Sequence, residues 1–386
     1  MINNFHFACP GEIFFGSGCI EQHPEVFSRC GKKAFIVTCT FEDNEPNRAL
    51  NEVCTVLDKL HIAYAINANT IPDPPVESAV EILEHLKRFN PDFLISVGGG
   101  SAMDTAKAIN ILLKYPGADP YDVLFGKGPH VFAVGAPNDG ALPYISVPTT
   151  AGTGADIAGV CVMTRADIDN KAGSNRRSYA DYIFVDPNYI KSAPMKLNQA
   201  TAMDALCHGI EIYLSRNSQN DFMTNMLCET AFRLFSDIKE PLLKHELSDE
   251  DYAKQALHST LQGLVILNEL TGVPHGMGYP LSHYYEVPHG LACAVFEGEY
   301  LRILSDQPRV SRMLSLLGFA GIDDFCSYIQ AILAPHVDLQ LTYAEVESWI
   351  NVFYDTKWRV ERHPEELTKE MVRDIYYRTL NRFIIE

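Results

Sequence analysis

The chain has 386 residues, 47% of them hydrophobic, and a formal net charge of -18. That length is more than one ordinary hydrophobic core needs and fits two domains. The negative balance argues against nucleic acid or an anionic membrane surface as a partner, because long-range repulsion opposes the encounter.

In chain order, Lys33 to Thr38 is a short apolar run of the kind that forms a buried parallel strand. Residues 47 to 60 then repeat apolar positions at helical spacing (Leu50, Val53, Val56, Leu57, Leu60), and Ala63 to Ile66 reads as the next strand. A helix over 75 to 89 and a strand from Phe93 to Val97 continue the alternation, which predicts a right-handed, doubly wound parallel sheet. That strand runs into Gly98-Gly99-Gly100-Ser101, followed by a helix from Ala102 to Leu113. Strand, glycines and helix start can hold a diphosphate on backbone N–H groups, although three glycines serve a plain tight turn equally well.

Tyr144 to Val147 reads as a strand leading into the hydroxyl-rich turn Pro148-Thr149-Thr150-Ala151-Gly152-Thr153-Gly154. Its threonines can donate to phosphate or ribose, or cap their own turn. Val160 to Thr164 and Tyr182 to Pro187 read as further strands bracketing a polar loop that carries Lys171. From about Pro194 the pattern becomes helical (residues 200 to 216, 221 to 238, 250 to 268, 291 to 305, 322 to 333, 343 to 353 and 368 to 384). The expected boundary lies near Lys191, giving an α/β dinucleotide-binding domain over 1–191 and a helical, metal-binding domain over 192–386.

Asp204 and His208 are four apart, so on a helix both side chains leave one face. His275 and His289 each sit beside a glycine, Gly276 and Gly290, where backbone can come close to a bound group. One carboxylate and three imidazoles suit zinc, iron or nickel better than calcium or magnesium. Ten scattered cysteines with no C-x-x-C pair predict reduced thiols in a cytoplasmic protein, not a disulfide framework or a thiolate zinc site. The start of the chain lacks the basic and apolar regions of a signal peptide. No uncharged apolar run reaches the ~18 residues that span a bilayer, so no membrane partner is expected.

These residues together resemble the iron-containing (group III) alcohol dehydrogenases. The likeness covers nearly the whole chain and is carried by Phe7, Pro10, Ile13, Phe15, Gly16 and Gly18; by Gly98 to Ser101 with Asp104 and Lys107; by Pro148 to Gly154; by Asp204-Ala205-Leu206 with His208; and by the two His-Gly segments. It implies an N-terminal α/β dinucleotide-binding domain with a parallel, Rossmann-like sheet and an all-α C-terminal domain, an architecture of the dehydroquinate synthase type. It also implies that Asp204, His208, His275 and His289 bind one divalent metal. Cofactor contacts would come from the position of Cys39 and from Asp73, Gly99, Gly100, Ser101, Asp104, Thr149, Thr150, Thr153 and Lys171.

Three positions depart from the family pattern. Cys39 stands where many members carry an aspartate that accepts bonds from the adenosine ribose, which points to NADP rather than NAD, with Glu42 and Asp43 nearby counting the other way. Tyr279 replaces a histidine placed four residues after the third ligand, which puts a proton relay through that position in doubt. Gly154-Ala155-Asp156 replaces a common Gly-Ser-Glu.

The implied reaction is hydride transfer between a small primary alcohol or diol and nicotinamide, with the aldehyde as product, and the metal as Lewis acid. Ferrous iron is the expected metal, with zinc as the alternative. Tyr279, His283, Tyr284 and Tyr285 are candidates for the pocket wall. Two other readings keep the fold. One is an NAD- and metal-dependent enzyme of the dehydroquinate synthase or glycerol-1-phosphate dehydrogenase type, which needs a basic cluster that residues 204 to 217 lack beyond Arg216. The other is a nucleotide-binding homologue without catalysis. The expected partner is a small alcohol or aldehyde, with a homo-oligomer left open.

Overall fold

The computed structural model describes residues 5–39, 48–126, 135–219, 221–334 and 339–385. They form two compact units: one is Phe7–Ala193, the other begins at Pro194 and includes Phe5 and His6. Glu42 and Asp43 lie outside the described residues.

The first unit is built on a six-stranded, wholly parallel sheet of β1 (Glu12–Phe15), β2 (Lys33–Cys39), β3 (Ala63–Thr70), β4 (Phe93–Gly98), β5 (Tyr144–Pro148) and β8 (Tyr182–Val185), in the order β1-β8-β5-β4-β2-β3. The central strands are apolar along most of their length and buried on both faces, with Ile36 opposite Ile95 and Ile95 opposite Ile145. Helices α1 (Cys19–Gln22), α2 (Glu25–Cys30), α3 (Arg48–Lys59), α4 (Val76–Phe89), α5 (Gly100–Leu113), α6 (Pro120–Phe125) and α7 (Pro187–Ile190) connect and cover the strands. From β2 the chain moves outward to β3, then returns past β2 to β4 and continues outward the other way. The carboxyl ends of β2 and β4 therefore flank the point where the winding reverses, the position at which open parallel sheets bind ligands.

Two parts of this unit differ from what the sequence predicts. The short strand β1 has no signal of its own: Glu-Ile-Phe-Phe at a sheet edge is only half-buried and carries neither a long apolar run nor clean alternation. Val160 to Thr164 does not join the main sheet. Instead β6 (Val162–Arg165) pairs antiparallel with β7 (Asn170–Gly173), so the expected polar loop around Lys171 is one arm of a hairpin.

The second unit is helical: α8 (Met195–Tyr213), α9 (Phe222–Lys244), α10 (Asp249–Asn268), α11 (Val273–Tyr284), α12 (His289–Ile303), α13 (Gln307–Leu316), α14 (Ile322–Leu333), α15 (Tyr343–Asp355), α16 (Lys357–Arg362) and α17 (Lys369–Leu380). Three of these, α11, α13 and α16, fall outside the helices that the periodicity predicts. Gly272, Pro274, Gly276, Gly278 and Pro280 punctuate α11 heavily enough to hide its helical period. Helix α8 is buried on nearly all sides, with α9, α10 and α12 packed around it. No helix among the described residues is long and apolar enough to cross a membrane, and all ten cysteines are free thiols.

Candidate dinucleotide cradle and metal centre

In the first unit, β4 ends at Gly98, whose φ of 154° suits glycine and whose added Cβ would lie 2.8 Å from that of Ala102. Gly99 is the N-cap of α5 and, lacking a side chain, does not cap the helix start itself. The threonine-rich turn lies directly against it. Thr149 N–H donates to the Gly98 carbonyl at 2.9 Å. A Cβ on Gly99 would come within 3.2 Å of the Thr150 hydroxyl, and one on Gly100 within 3.1 Å of the Thr153 methyl. Two motifs about 50 residues apart thus pack side by side at a helix N-terminus, where backbone N–H and hydroxyl groups make a setting that attracts phosphate. Ser101 occupies the first turn of that helix.

Cys39, half-buried at the end of β2, lies 4.0 Å from the position of a Cβ on Gly98, so it borders the same reversal point. Burial pushes its thiol up to about 11, which keeps it neutral near pH 7. Asp73, with a positive φ of 50°, pairs with Lys171 at 2.7 Å and accepts from Thr164 Oγ1 on its carbonyl at 2.8 Å, so this candidate pair sits where the hairpin meets the chain before α4. The carboxylate of Asp104 is engaged by the buried Lys107, 2.7 Å away, whose ammonium also donates to the carbonyls of Ala158 and Val160. Asp104 and Lys107 thus tie α5 to the segment that follows the threonine-rich turn.

In the second unit, α8, α11 and α12 bring the four candidate ligands together. Around Asp204 Oδ1 stand His275 Nε2 at 3.4 Å, His208 Nε2 at 3.8 Å and His289 Nε2 at 3.8 Å. His208 and His275 stack with ring centroids 4.6 Å apart. Asp204, His208 and His275 are buried, whereas the His289 side chain is 36% exposed, so the cluster opens to solvent on that side. Asp204 Oδ1 and His275 Nε2, 3.4 Å apart, are buried without a hydrogen-bond partner. Orphaned donor atoms that converge on one point cost free energy unless something fills it, and a divalent cation fits this donor set.

Each ligand has a local reason for its place. His275 sits in the first turn of α11, after the N-cap Gly272 and a proline suited to a helix start. His289 is the first residue of α12. Neither histidine is in a helix interior, yet both glycines beside them are helical. A Cβ on Gly290 would lie 2.0 Å from the Ala200 carbonyl oxygen and 2.6 Å from the Asp204 nitrogen. Gly290 therefore permits close approach of α12 to α8, the helix carrying Asp204, rather than approach to a bound group.

Glu211, on α8 one turn beyond His208, is not among the residues that the sequence singles out. Its carboxylate accepts from Gly272 N–H at 2.6 Å and His275 N–H at 3.2 Å, and it also accepts from His275 Nδ1. One side chain thus caps α11 and fixes the tautomer that leaves Nε2 free for an ion. Its spacing of seven from Asp204 on one helix is a usable signal. Cys293 is likewise absent from the predicted set, although it lies four residues after His289 on α12. Asp204, His275, His289 and Cys293 each offer a donor atom within 4.8 Å of the others, a group that the predicted ligand His208 does not join, although its Nε2 lies 3.8 Å from Asp204 Oδ1.

The electrostatics favour a cation. Burial pushes His208 down to about 4. Burial also works to lower His289, but the neighbouring Cys293 and Asp204 outweigh it and carry that imidazole up to about 9. Burial alone would raise the Asp204 carboxyl, yet His208, His289 and His275 hold it well below the usual carboxylate range.

Of the aromatic candidates, Tyr279 reaches the cluster. It stacks on His289 at 5.7 Å, and its hydroxyl accepts from Arg359 Nη2 at 3.1 Å. Arg359 Nη1 also donates to the Gly272 carbonyl at 2.9 Å, so the guanidinium braces the start of α11. Tyr285 donates instead to Glu345 at 2.7 Å, and Tyr284 is exposed against His283.

Comparisons with known proteins agree with this architecture. Residues 10–187 match the family model described as iron-containing alcohol dehydrogenase, and residues 198–378 match that of the Fe-containing alcohol dehydrogenase family, C-terminal. The chain is 30% identical over 299 residues to the lactaldehyde reductase of Escherichia coli, covering 76% of this chain and 74% of that protein. It is 28% identical to the NADPH-dependent butanol dehydrogenase of Clostridium saccharobutylicum, covering 81% and 78% respectively. Among solved structures, an iron-containing alcohol dehydrogenase from Thermotoga maritima superposes with a TM-score of 0.85 at 27% identity, over 98% of this chain and all of that one. With both halves matched and the fold shared, the chain belongs to the iron-containing alcohol dehydrogenase family and is an oxidoreductase.

Proposed function

We propose that this protein interconverts a small primary alcohol or diol and its aldehyde, using a nicotinamide dinucleotide and one divalent metal held by Asp204, His208, His275 and His289. The observation that carries the reading is the buried, unpartnered Oδ1 of Asp204, surrounded by three imidazole nitrogens at 3.4 to 3.8 Å. When bound, the metal supplies Lewis acidity toward the substrate oxygen, and the nicotinamide accepts or gives up hydride. Glu211 keeps His275 in the ligating tautomer. Tyr279, stacked on the most exposed ligand and bonded to Arg359, is placed to wall off that open side. Gly98 to Ser101, Thr149, Thr150 and Thr153 form the cradle for the pyrophosphate and ribose, with Asp73 and Lys171 alongside.

Ferrous iron is the metal we assign on the strength of family membership. NADP(H) is the preferred carrier, since the neutral Cys39 places no negative charge against a 2′-phosphate. The NADPH-dependent butanol dehydrogenase among the relatives is consistent with that assignment. The test is to prepare Asp204→Ala and His275→Ala, then measure metal content and nicotinamide fluorescence on the same samples. Both variants are expected to lose metal and turnover while retaining dinucleotide binding, because the cradle residues belong to the other unit. Full turnover in a metal-free variant would overturn the assignment.

A further inference from the structure

The fully buried thiol of Cys293 sits one helical turn beyond His289, with Sγ 3.8 Å from Nε2 and 3.9 Å from Nδ1 of that ring. A structural cysteine normally packs among apolar groups. Cys293 instead faces the same point as the Asp204, His275 and His289 donors, all within 4.8 Å of one another. Donors bound to one tetrahedral ion at about 2.0–2.3 Å stand roughly 3.3–3.8 Å apart, so inward side-chain movements of up to about 1 Å would bring all four onto a common ion. Independently, Asp204 Oδ1 and His275 Nε2 are buried and lack partners, so the point on which the thiol converges is one that needs a cation.

We infer that Cys293 is itself a donor to the metal, adding sulfur to the carboxylate and imidazole set and so raising the site's relative affinity for zinc and cobalt(II) above what the carboxylate and imidazoles alone would give, whichever ion occupies it in the cell. This rests on the metal reading given above. Thiolate is a softer ligand than carboxylate or imidazole, and ions with a stronger claim on sulfur gain most from it. Binding releases the thiol proton to solvent, so capture of a divalent ion leaves a neutral ion-thiolate-carboxylate unit within the ring of imidazoles. The sequence pattern of one carboxylate and three histidines hides this donor, because a thiolate zinc site is ordinarily recognised by paired cysteines.

The experiment uses the full chain, stripped of metal with a chelator and titrated anaerobically with cobalt(II). Wild type is expected to bind one cobalt per chain and to show a near-ultraviolet thiolate-to-cobalt charge-transfer band. Cys293→Ala should still bind cobalt but lose the band, and its preference for zinc over ferrous iron in competition dialysis should fall at least about tenfold. Cys293→Ser serves if the alanine variant fails to fold. Cys207→Ala, which removes another buried thiol on α8, should keep the band. One cobalt bound without a band in wild type, or a band that survives in Cys293→Ala, overturns the role of Cys293 and leaves the metal centre standing. A wild-type chain that binds no cobalt overturns both.

Discussion

Glu211 grips His275 twice, accepting from its backbone N–H at 3.2 Å and from its ring Nδ1, while the opposite ring nitrogen faces Asp204 at 3.4 Å. The imidazole is thus held between a carboxylate that orients it and one that shares its ion. Glu211→Gln keeps the shape but can turn an amide donor toward Nδ1. Metal affinity should fall about 10- to 100-fold, the usual cost of losing such an outer partner. Competition with a chromophoric chelator measures it, and an unchanged affinity would show that the cap on α11 alone positions His275.

Gly290 supplies a test of the helix packing. In Gly290→Ala the new methyl meets the Ala200 carbonyl oxygen at 2.0 Å and the Asp204 nitrogen at 2.6 Å, so α12 must move away from α8. Overpacking of this kind costs roughly 1–3 kcal/mol. Thermal unfolding should therefore shift down by several degrees, and metal content should fall in the same sample because His289 moves with its helix. Normal metal content at an undiminished melting temperature would contradict the close approach of the two helices.

Cys39→Asp should move cofactor preference from NADP(H) toward NAD(H). The native thiol is neutral, because burial pushes it up to about 11, whereas a carboxylate there would repel a 2′-phosphate by about 1–4 kcal/mol depending on local screening. The readout is kcat/KM for both carriers in wild type and variant. A wild type that already favours NAD(H) would show that Cys39 does not decide the preference.

Elements whose physics is local are legible in the sequence. The runs at Lys33 to Thr38 and Phe93 to Val97 announce strands because a parallel strand buried on both faces must be largely apolar. Asp204 and His208 stand out because their spacing alone places them on one face of α8. Glu211 and Cys293 do not, since their meaning comes from α11 and α12 folding back onto α8. Helix α11 is hidden for another reason: its glycines and prolines break the helical pattern at positions where neighbours demand small residues, as Gly278 against the Ala292 carbonyl at 2.6 Å shows. Only the first arm of the Lys171 hairpin reads as a strand; the second, Asn170–Gly173, is polar and too short to carry a pattern.

Asp156, buried after the threonine-rich turn, has its carboxyl raised to about 6 by burial, against the opposing pull of its own backbone N–H and Lys107. In the window from about 4 to 6 the folded state holds a proton that the unfolded chain has released, so this group lowers stability as pH rises through it. Asp156→Asn should therefore gain up to roughly 3 kcal/mol over wild type at pH 8 and only about 0.5 kcal/mol at pH 4. Urea unfolding of both proteins at the two pH values checks the sign. A gain at pH 4 that vanished at pH 8 would contradict it.

Every donor of the proposed centre, Cys293 included, belongs to the unit that begins at Pro194, and none to Phe7–Ala193. An ion captured there ties together α8, α11 and α12, three segments that an unfolded chain would let drift apart, so its binding energy is delivered as folding energy to that unit alone. At a thousandfold excess of free ion over its dissociation constant this amounts to about 4 kcal/mol. Chelation should accordingly separate one melting transition into two, with the helical unit melting first and the parallel sheet keeping its own midpoint.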